Sequence, residues 1–239
     1  MTKFQKIVWQ AFLALLTTSV QAQLTFELPD GYLDARTLSV QSKVEELFQR
    51  GEFERAYFIY RNELVPAGDK YAQYMVGYMH LTGMGADEDP VAACAWYRLA
   101  AERGTPEFVA VRDQLKHDLE GEERRRADAY YLQLRRDYSD LAILLGSIKR
   151  GVRGLQPRTG SRLSGQASSL MVIDVNPANQ SRTGDESYRS TRTRLQEQLI
   201  MLSEIGDFPD LETDPSRVDV GHIERLVNER LDAPLDQDY

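Results

Sequence analysis

Ala95 to Gly104 reads AWYRLAAERG, and this stretch decides the fold. Its alanines allow a second helix to come close, while Trp96 and Tyr97 fill the space towards a neighbouring layer. Just upstream, Asp89 followed by Pro90 is a helix start, since aspartate caps free amide groups and proline tolerates the first helical position. Gly83 is a natural left-handed helix stop before it. Further out, from Leu38 to about Leu119, the chain reads as helices of about 12 to 15 residues separated by glycine-marked turns. Val44, Leu47 and Phe48 make one apolar stripe. Phe53, Ala56, Tyr57, Tyr60 and Leu64 make the next, and Gly51 separates the two.

Shifting the chain by 36 residues places Ala56 on Ala92, Tyr60 on Trp96, Leu64 on Ala100 and Gly68 on Gly104. An internal repeat slightly longer than the roughly 34 residues of a tetratricopeptide unit implies stacked helix pairs, each burying its face only against its neighbours. From Tyr71 to Gly104 the residues resemble the SEL-one-like repeat. Ala72-Gln73-Tyr74 and Val76-Gly77 look like its first helix, and Gly83-x-Gly85 like its turn. Asp89, Ala93, Trp96, Tyr97, Ala100, Ala101 and Gly104 look like its second helix. Gly51 to Gly68 looks like the second helix of a preceding, degenerate copy, so the resemblance covers about Gly51 to Lys116. His80 stands where the family usually has an aromatic and Ala86 where it has a valine. Phe108-Val109-Ala110-Val111 does not reproduce the Ala-Gln-Tyr run, so the solenoid is expected to end after about one and a half to two repeats.

Past Glu122, Ala127, Tyr131, Leu134, Tyr138, Leu141, Leu145 and Ile148 alternate spacings of four and three. That heptad stripe predicts one helix of about seven turns, laid across the last repeat as a cap, with a coiled-coil dimer as the alternative use. Between Leu141 and Ile173 there is no acidic residue, but there are Lys149, Arg150, Arg153, Arg158, Arg162 and five glycines, the pattern of a basic, flexible linker. Leu170 to Val175 suits a short strand. Two further helices are expected at about Asp185–Ile205 and Pro215–Leu231. From Asp207 onward ten acidic residues face three basic ones.

The expected class is all-α: a short α-solenoid capped by a long helix, with a loosely attached helical C-terminal region. The expected divisions are a signal peptide at 1–22, an extended segment at 23–37, the solenoid at 38–120, the capping helix at 121–150, the basic linker at 151–183 and the C-terminal region at 184–239.

Lys3 and Lys6, an apolar run from Ile7 to Leu16 and small residues at Val20 and Ala22 make the three-part layout of a secretory signal cut between Ala22 and Gln23. The run is far shorter than the roughly 20 residues of a membrane span. With Lys3 and Lys6 gone, the 29 basic residues fall to 27 against 37 acidic ones, a balance of −10, which disfavours non-specific nucleic-acid binding. Cys94 is the single cysteine, so no intramolecular disulfide forms, and a bacterial periplasm suits such an exported chain.

No motif points to chemistry. His80, His117 and His222 are not at metal-ligand spacing, and neither HExxH nor CxxC occurs. Cys94 sits among Ala92, Ala93, Ala95 and Trp96 with no base nearby in sequence, which suits packing better than nucleophilic attack. Asp87-Glu88-Asp89 lacks the 12-residue calcium series and suits capping of the next helix. Gly154 and Gly160 are six apart and no lysine follows, so a phosphate loop fails. No cofactor is expected, and no enzyme.

The resemblance implies an adaptor in which first helices line a concave face, here Gln73, Tyr74 and Tyr78, for an envelope protein partner. A competing reading takes Lys149, Arg150, Arg153, Arg158 and Arg162 as a site for an anionic envelope component such as lipid headgroups, lipopolysaccharide or acidic glycan. A hydrolase with an unrecognised nucleophile is the third reading.

Overall fold

The computed structural model describes residues 35–155, 171–173 and 181–234. The first helices are α1 (Ala35–Gln49), α2 (Phe53–Ile59), α3 (Lys70–Thr82) and α4 (Pro90–Ala100). They are followed by α5 (Pro106–Asp118), α6 (Gly121–Tyr138), α7 (Asp140–Leu155), α8 (Gly184–Gly206) and α9 (Val220–Asp232). Two three-residue strands, β1 (Met171–Ile173) and β2 (Ser181–Thr183), pair antiparallel with Val172 opposite Arg182. The fold is all-α in its packing. The signal-like segment, the chain to residue 34, residues 156–170 and 174–180 and the last five residues lie outside the described residues.

The punctuation read from the sequence sets the helix ends. Asp89 accepts from the amides of Val91 and Ala92 at 2.9 and 3.1 Å, with Pro90 as the first helical residue of α4. Asp69 does the same for α3 through the Ala72 amide at 3.0 Å. Gly68, Gly83 and Gly104 stop their helices with φ of 82°, 69° and 72°. Gly85 also has a positive φ, 78°, and a Cβ there would overlap the Phe53 carbonyl, so the turn before α4 packs directly on the backbone of α2.

The described chain divides into two compact units, one running from Ser39 to Asp140 and the other mainly from Leu141 onward. In the first, α3 packs on α4 so closely that a Cβ at Gly77 would lie 3.2 Å from both Trp96 Cβ and the Tyr97 ring. The small residues therefore serve the close approach expected of them. α2 runs on as a π-helical turn at Tyr60–Leu64 and a 3₁₀ turn at Val65–Ala67 before α3 begins. α5 and α6 both pack on α4, so a third helix pair follows α1–α2 and α3–α4. Phe108 rather than a tyrosine makes that joint, stacked on Tyr74 with centroids 4.7 Å apart.

The heptad stripe does not run along a single helix. The chain leaves the helix at Ser139, with φ −66° and ψ 160°, and α7 starts afresh at Asp140. Ala127 and Leu134 are buried in the core of the first unit, and Leu141, Leu145 and Ile148 in that of the second. Capping falls to α6 alone. The reason lies in Asp140, whose carboxylate is gripped by Arg103 and whose amide donates to Glu102 Oε2 at 3.1 Å.

The second unit packs α7, α8 and α9 around Leu144, Ile148, Leu195, Leu199, Ile223 and Val227. Inside it Gln198 Nε2 donates to Ser147 Oγ at 2.9 Å. The linker expected from residue 151 does not begin there, since α7 continues to Leu155. Gly151 is a packing residue of that helix: a Cβ on it would sit 3.3 Å from Leu195 Cδ1. Likewise the extended segment expected up to residue 37 gives way to helix at Ala35.

Candidate functional site

The three residues expected to line a groove are core residues instead. Gln73, Tyr74 and Tyr78 are 0, 1 and 3% exposed. Gln73 Nε2 donates to the Tyr138 carbonyl at 3.1 Å. Tyr74 lies between Phe108 and Tyr97, the latter edge-on at 4.9 Å, and burial pushes its hydroxyl up to about 12. Tyr78 meets Phe48 of α1 edge to face at 6.3 Å. With α1 contributing Phe48 on one side and α5 contributing Phe108 on the other, the face that an open solenoid would present is filled by its own neighbours.

Two polar arrangements tie neighbouring elements together. Arg61, on the π-helical turn, sits 4.9 Å from the Trp96 ring centre and 4.8 Å from that of Tyr138, and donates to the Tyr138 hydroxyl at 3.0 Å. At the other end Lys70 Nζ reaches Glu102 Oε2 at 2.7 Å and Asp140 Oδ1 at 3.2 Å. Arg103 forks onto the same Asp140 carboxylate with two bonds of 2.8 Å. Lys70 and Asp140 are buried, and each of these charged groups has a partner among the others or in a neighbouring ring, so they hold structure.

A family model described as the Sel1 repeat matches residues 70–105. The likeness is confined to that segment, 36 of the 239 residues. The segment contains α3 and α4 with the left-handed Gly83 and Gly104 that end them, and within the span Gly51 to Lys116 the resemblance to SEL-one-like repeats is met over these residues. No curated protein and no solved structure matches the chain. Sel1 repeats generally mediate protein–protein interaction and are generally non-enzymatic scaffolds.

His80, the departure within the Sel1 repeat, takes the aromatic position by pairing with an aromatic. Its Nε2 lies 3.1 Å from the Tyr57 hydroxyl, its Nδ1 3.3 Å from the Asp87 carbonyl oxygen, and the ring stands perpendicular to Tyr57. Burial holds its pKa below the ordinary value and Arg61 adds to this, against Asp87 and Asp89, which act the other way. Because the folded value is depressed, the unfolded chain takes up the proton first, and stability falls as pH drops below about 6.5. We expect the first unit to unfold at lower urea at pH 5 than at pH 7.5, and His80→Gln to remove that part of the difference. An unchanged pH dependence in the variant would assign the effect to other groups.

Cys94 is buried in the same repeat, and burial pushes its thiol up to about 11, the opposite of a nucleophile's requirement. Among the described residues no three His, Cys, Asp or Glu side chains gather to hold a metal, and no helix is long and apolar enough to cross a membrane. Of the expected anion-binding residues, Lys149 pairs with Glu224 at 2.7 Å, while Arg150 and Arg153 are exposed on α7. Arg158 and Arg162 lie outside the described residues.

Phe58 went unread in the sequence. It is 62% exposed on α2, the one large hydrophobic side chain so exposed among the described residues 39–140. It falls out of phase with the Phe53–Leu64 stripe, and that phase error is the signal by which it could have been found.

Proposed function

We propose that this chain is an exported envelope adaptor that binds a partner protein through the unit built on its Sel1 repeat. The observation that carries the reading is the repeat itself, since repeats of this type generally mediate protein–protein interaction. With Gln73, Tyr74 and Tyr78 enclosed, the contact is placed on the outer surface, and Phe58 is the aromatic anchor of the kind that dominates binding energy. The export half rests on the Lys3–Ala22 pattern alone.

A photocrosslinking residue in place of Phe58 is expected to give a light-dependent adduct with one discrete envelope protein in living cells. No adduct from this or other exposed positions of residues 39–140 would remove the adaptor reading. N-terminal sequencing of the cellular protein tests export separately: Gln23 is expected, and Met1 would end the periplasmic assignment while leaving the adaptor reading in place.

A further inference from the structure

Arg61 is partly buried, yet it pairs with no carboxylate of the described residues. Arg98, Arg103 and Arg112 each hold an aspartate, whereas Arg61 lies over the Trp96 and Tyr138 rings and gives one bond, from Nη1 to the Tyr138 hydroxyl. Its Nε and Nη2 have no partner among the described residues. They are open to solvent, since the buried side-chain nitrogens and oxygens left without a partner there are those of Gln73, Trp96 and Tyr97. Glu54 and Glu63, the acidic residues of α2 and its continuation to Ala67, are exposed and form no ion pair with it. Two rings and a hydroxyl thus fix a guanidinium whose Nε–Nη2 edge presents two N–H groups in the fork that a carboxylate accepts. Arg61 also stands on the π-helical turn Tyr60–Leu64, a departure from regular helix of the kind that gathers at functional sites.

The surroundings are aromatic. Tyr57, one turn before Arg61, is half-buried and feels both Arg61 and the half-buried Tyr130 of α6. Phe58, three residues before Arg61 and so its neighbour on the helix surface, is 62% exposed. We propose that the Nε–Nη2 edge of Arg61 binds one carboxylate of a partner protein, a Glu or Asp side chain flanked by apolar residues that pack on Phe58 and Tyr57. The proposal rests on the adaptor reading and names the partner's chemistry. A phosphate group, with about two negative charges, or an anionic bilayer calls for several cations. The charge that bears on Tyr57 is that of Arg61, with no second cation of the described residues beside it, which matches a single carboxylate. Binding there has a second signature. Arg61 is one of the charges that face His80, with Asp87 and Asp89 from the turn before α4 acting against it and the Tyr57 hydroxyl bonded to Nε2. Neutralising Arg61 therefore raises the His80 value.

The test titrates the purified protein with acetyl-Leu-Glu-Leu-amide while NMR follows the Arg61 Nε–H and the His80 ring. Acetyl-Leu-Gln-Leu-amide and inorganic phosphate serve as comparisons. The glutamate peptide is expected to shift both signals saturably, with a dissociation constant of about millimolar and at least about tenfold below those of the two comparisons. Arg61→Lys keeps the charge but lacks the fork, and should weaken binding about tenfold, whereas Arg150→Gln on α7 should leave it unchanged. Circular dichroism checks the fold of both variants. In the wild type, which needs no substitution, saturating glutamate peptide should move the His80 titration to higher pH. Equal binding of the glutamate and glutamine peptides, phosphate binding as tightly as the glutamate peptide, or a His80 titration that does not move at saturation overturns the site. A Phe58 adduct in cells that is undiminished by Arg61→Lys also overturns it and leaves the adaptor reading. Selective binding of the glutamate peptide at Arg61 with no adduct from any exposed position does the reverse.

Discussion

Replacing Asp140 by alanine should cost the first unit about 3–5 kcal/mol, the usual penalty for removing one member of a buried ion pair. The side chain is buried, and it is the shared acceptor for Lys70 at 3.2 Å and for both prongs of Arg103 at 2.8 Å. Without it, two cations compete for Glu102, which already takes Lys70 and the Asp140 amide. Burial alone would raise the Asp140 carboxyl, but attraction to Lys70 and Arg103 outweighs it and holds the group below its ordinary value. The folded value being depressed, the contribution is present above the unfolded value near 3.9 and is lost as pH falls through the folded one. Urea unfolding should therefore show the wild type losing stability below about pH 4 more steeply than Asp140→Asn. Parallel acid limbs would deny Asp140 this role.

That cluster also marks where sequence reading ran out. The period of Leu134, Tyr138, Leu141 and Leu145 passes through Ser139 without a fault, because a three-residue step is as helical as a four-residue one. What breaks the helix is capture of Asp140 by Arg103, 37 residues earlier, and no local pattern carries that information. The helix pairs were legible for the opposite reason. Asp89-Pro90, Gly83 and Gly104 act on their own turns, and Gly77 opposite Trp96 is a packing relation that the repeat period itself encodes.

The enclosed groove was written in the sequence but read the other way. Ala72 to Met79 contains no charged residue, and a helix apolar all round is a buried one. Following the family's concave face instead put Gln73, Tyr74 and Tyr78 on a surface that a stack of three pairs does not leave open. Gly151 misled through composition: among arginines and other glycines it resembles linker, while its task, admitting Leu195 of α8, depends on a residue 44 positions on.

Trp96→Ala should be as damaging as any single substitution in the repeat, about 3–5 kcal/mol. The indole is fully buried, and α3 and α4 already touch at Gly77, so the helices have no room to collapse into the space it leaves. Its loss also removes one face of the Arg61 sandwich, an interaction of about 0.5–2 kcal/mol. Nε1 has no hydrogen-bond partner among the described residues, so Trp96→Phe gives up area but no bond seen there, and should cost clearly less than alanine. In protein prepared from residue 23 onward Trp9 is gone and Trp96 is the single tryptophan, so its fluorescence reports unfolding of the first unit in every variant that keeps it. Circular dichroism serves for the Trp96 variants. A double-mutant cycle with Arg61→Ala separates the two contributions: coupling of about 0.5–2 kcal/mol is expected, and strict additivity would reduce Trp96 to a space-filling side chain, with Arg61 bound to Tyr138 alone.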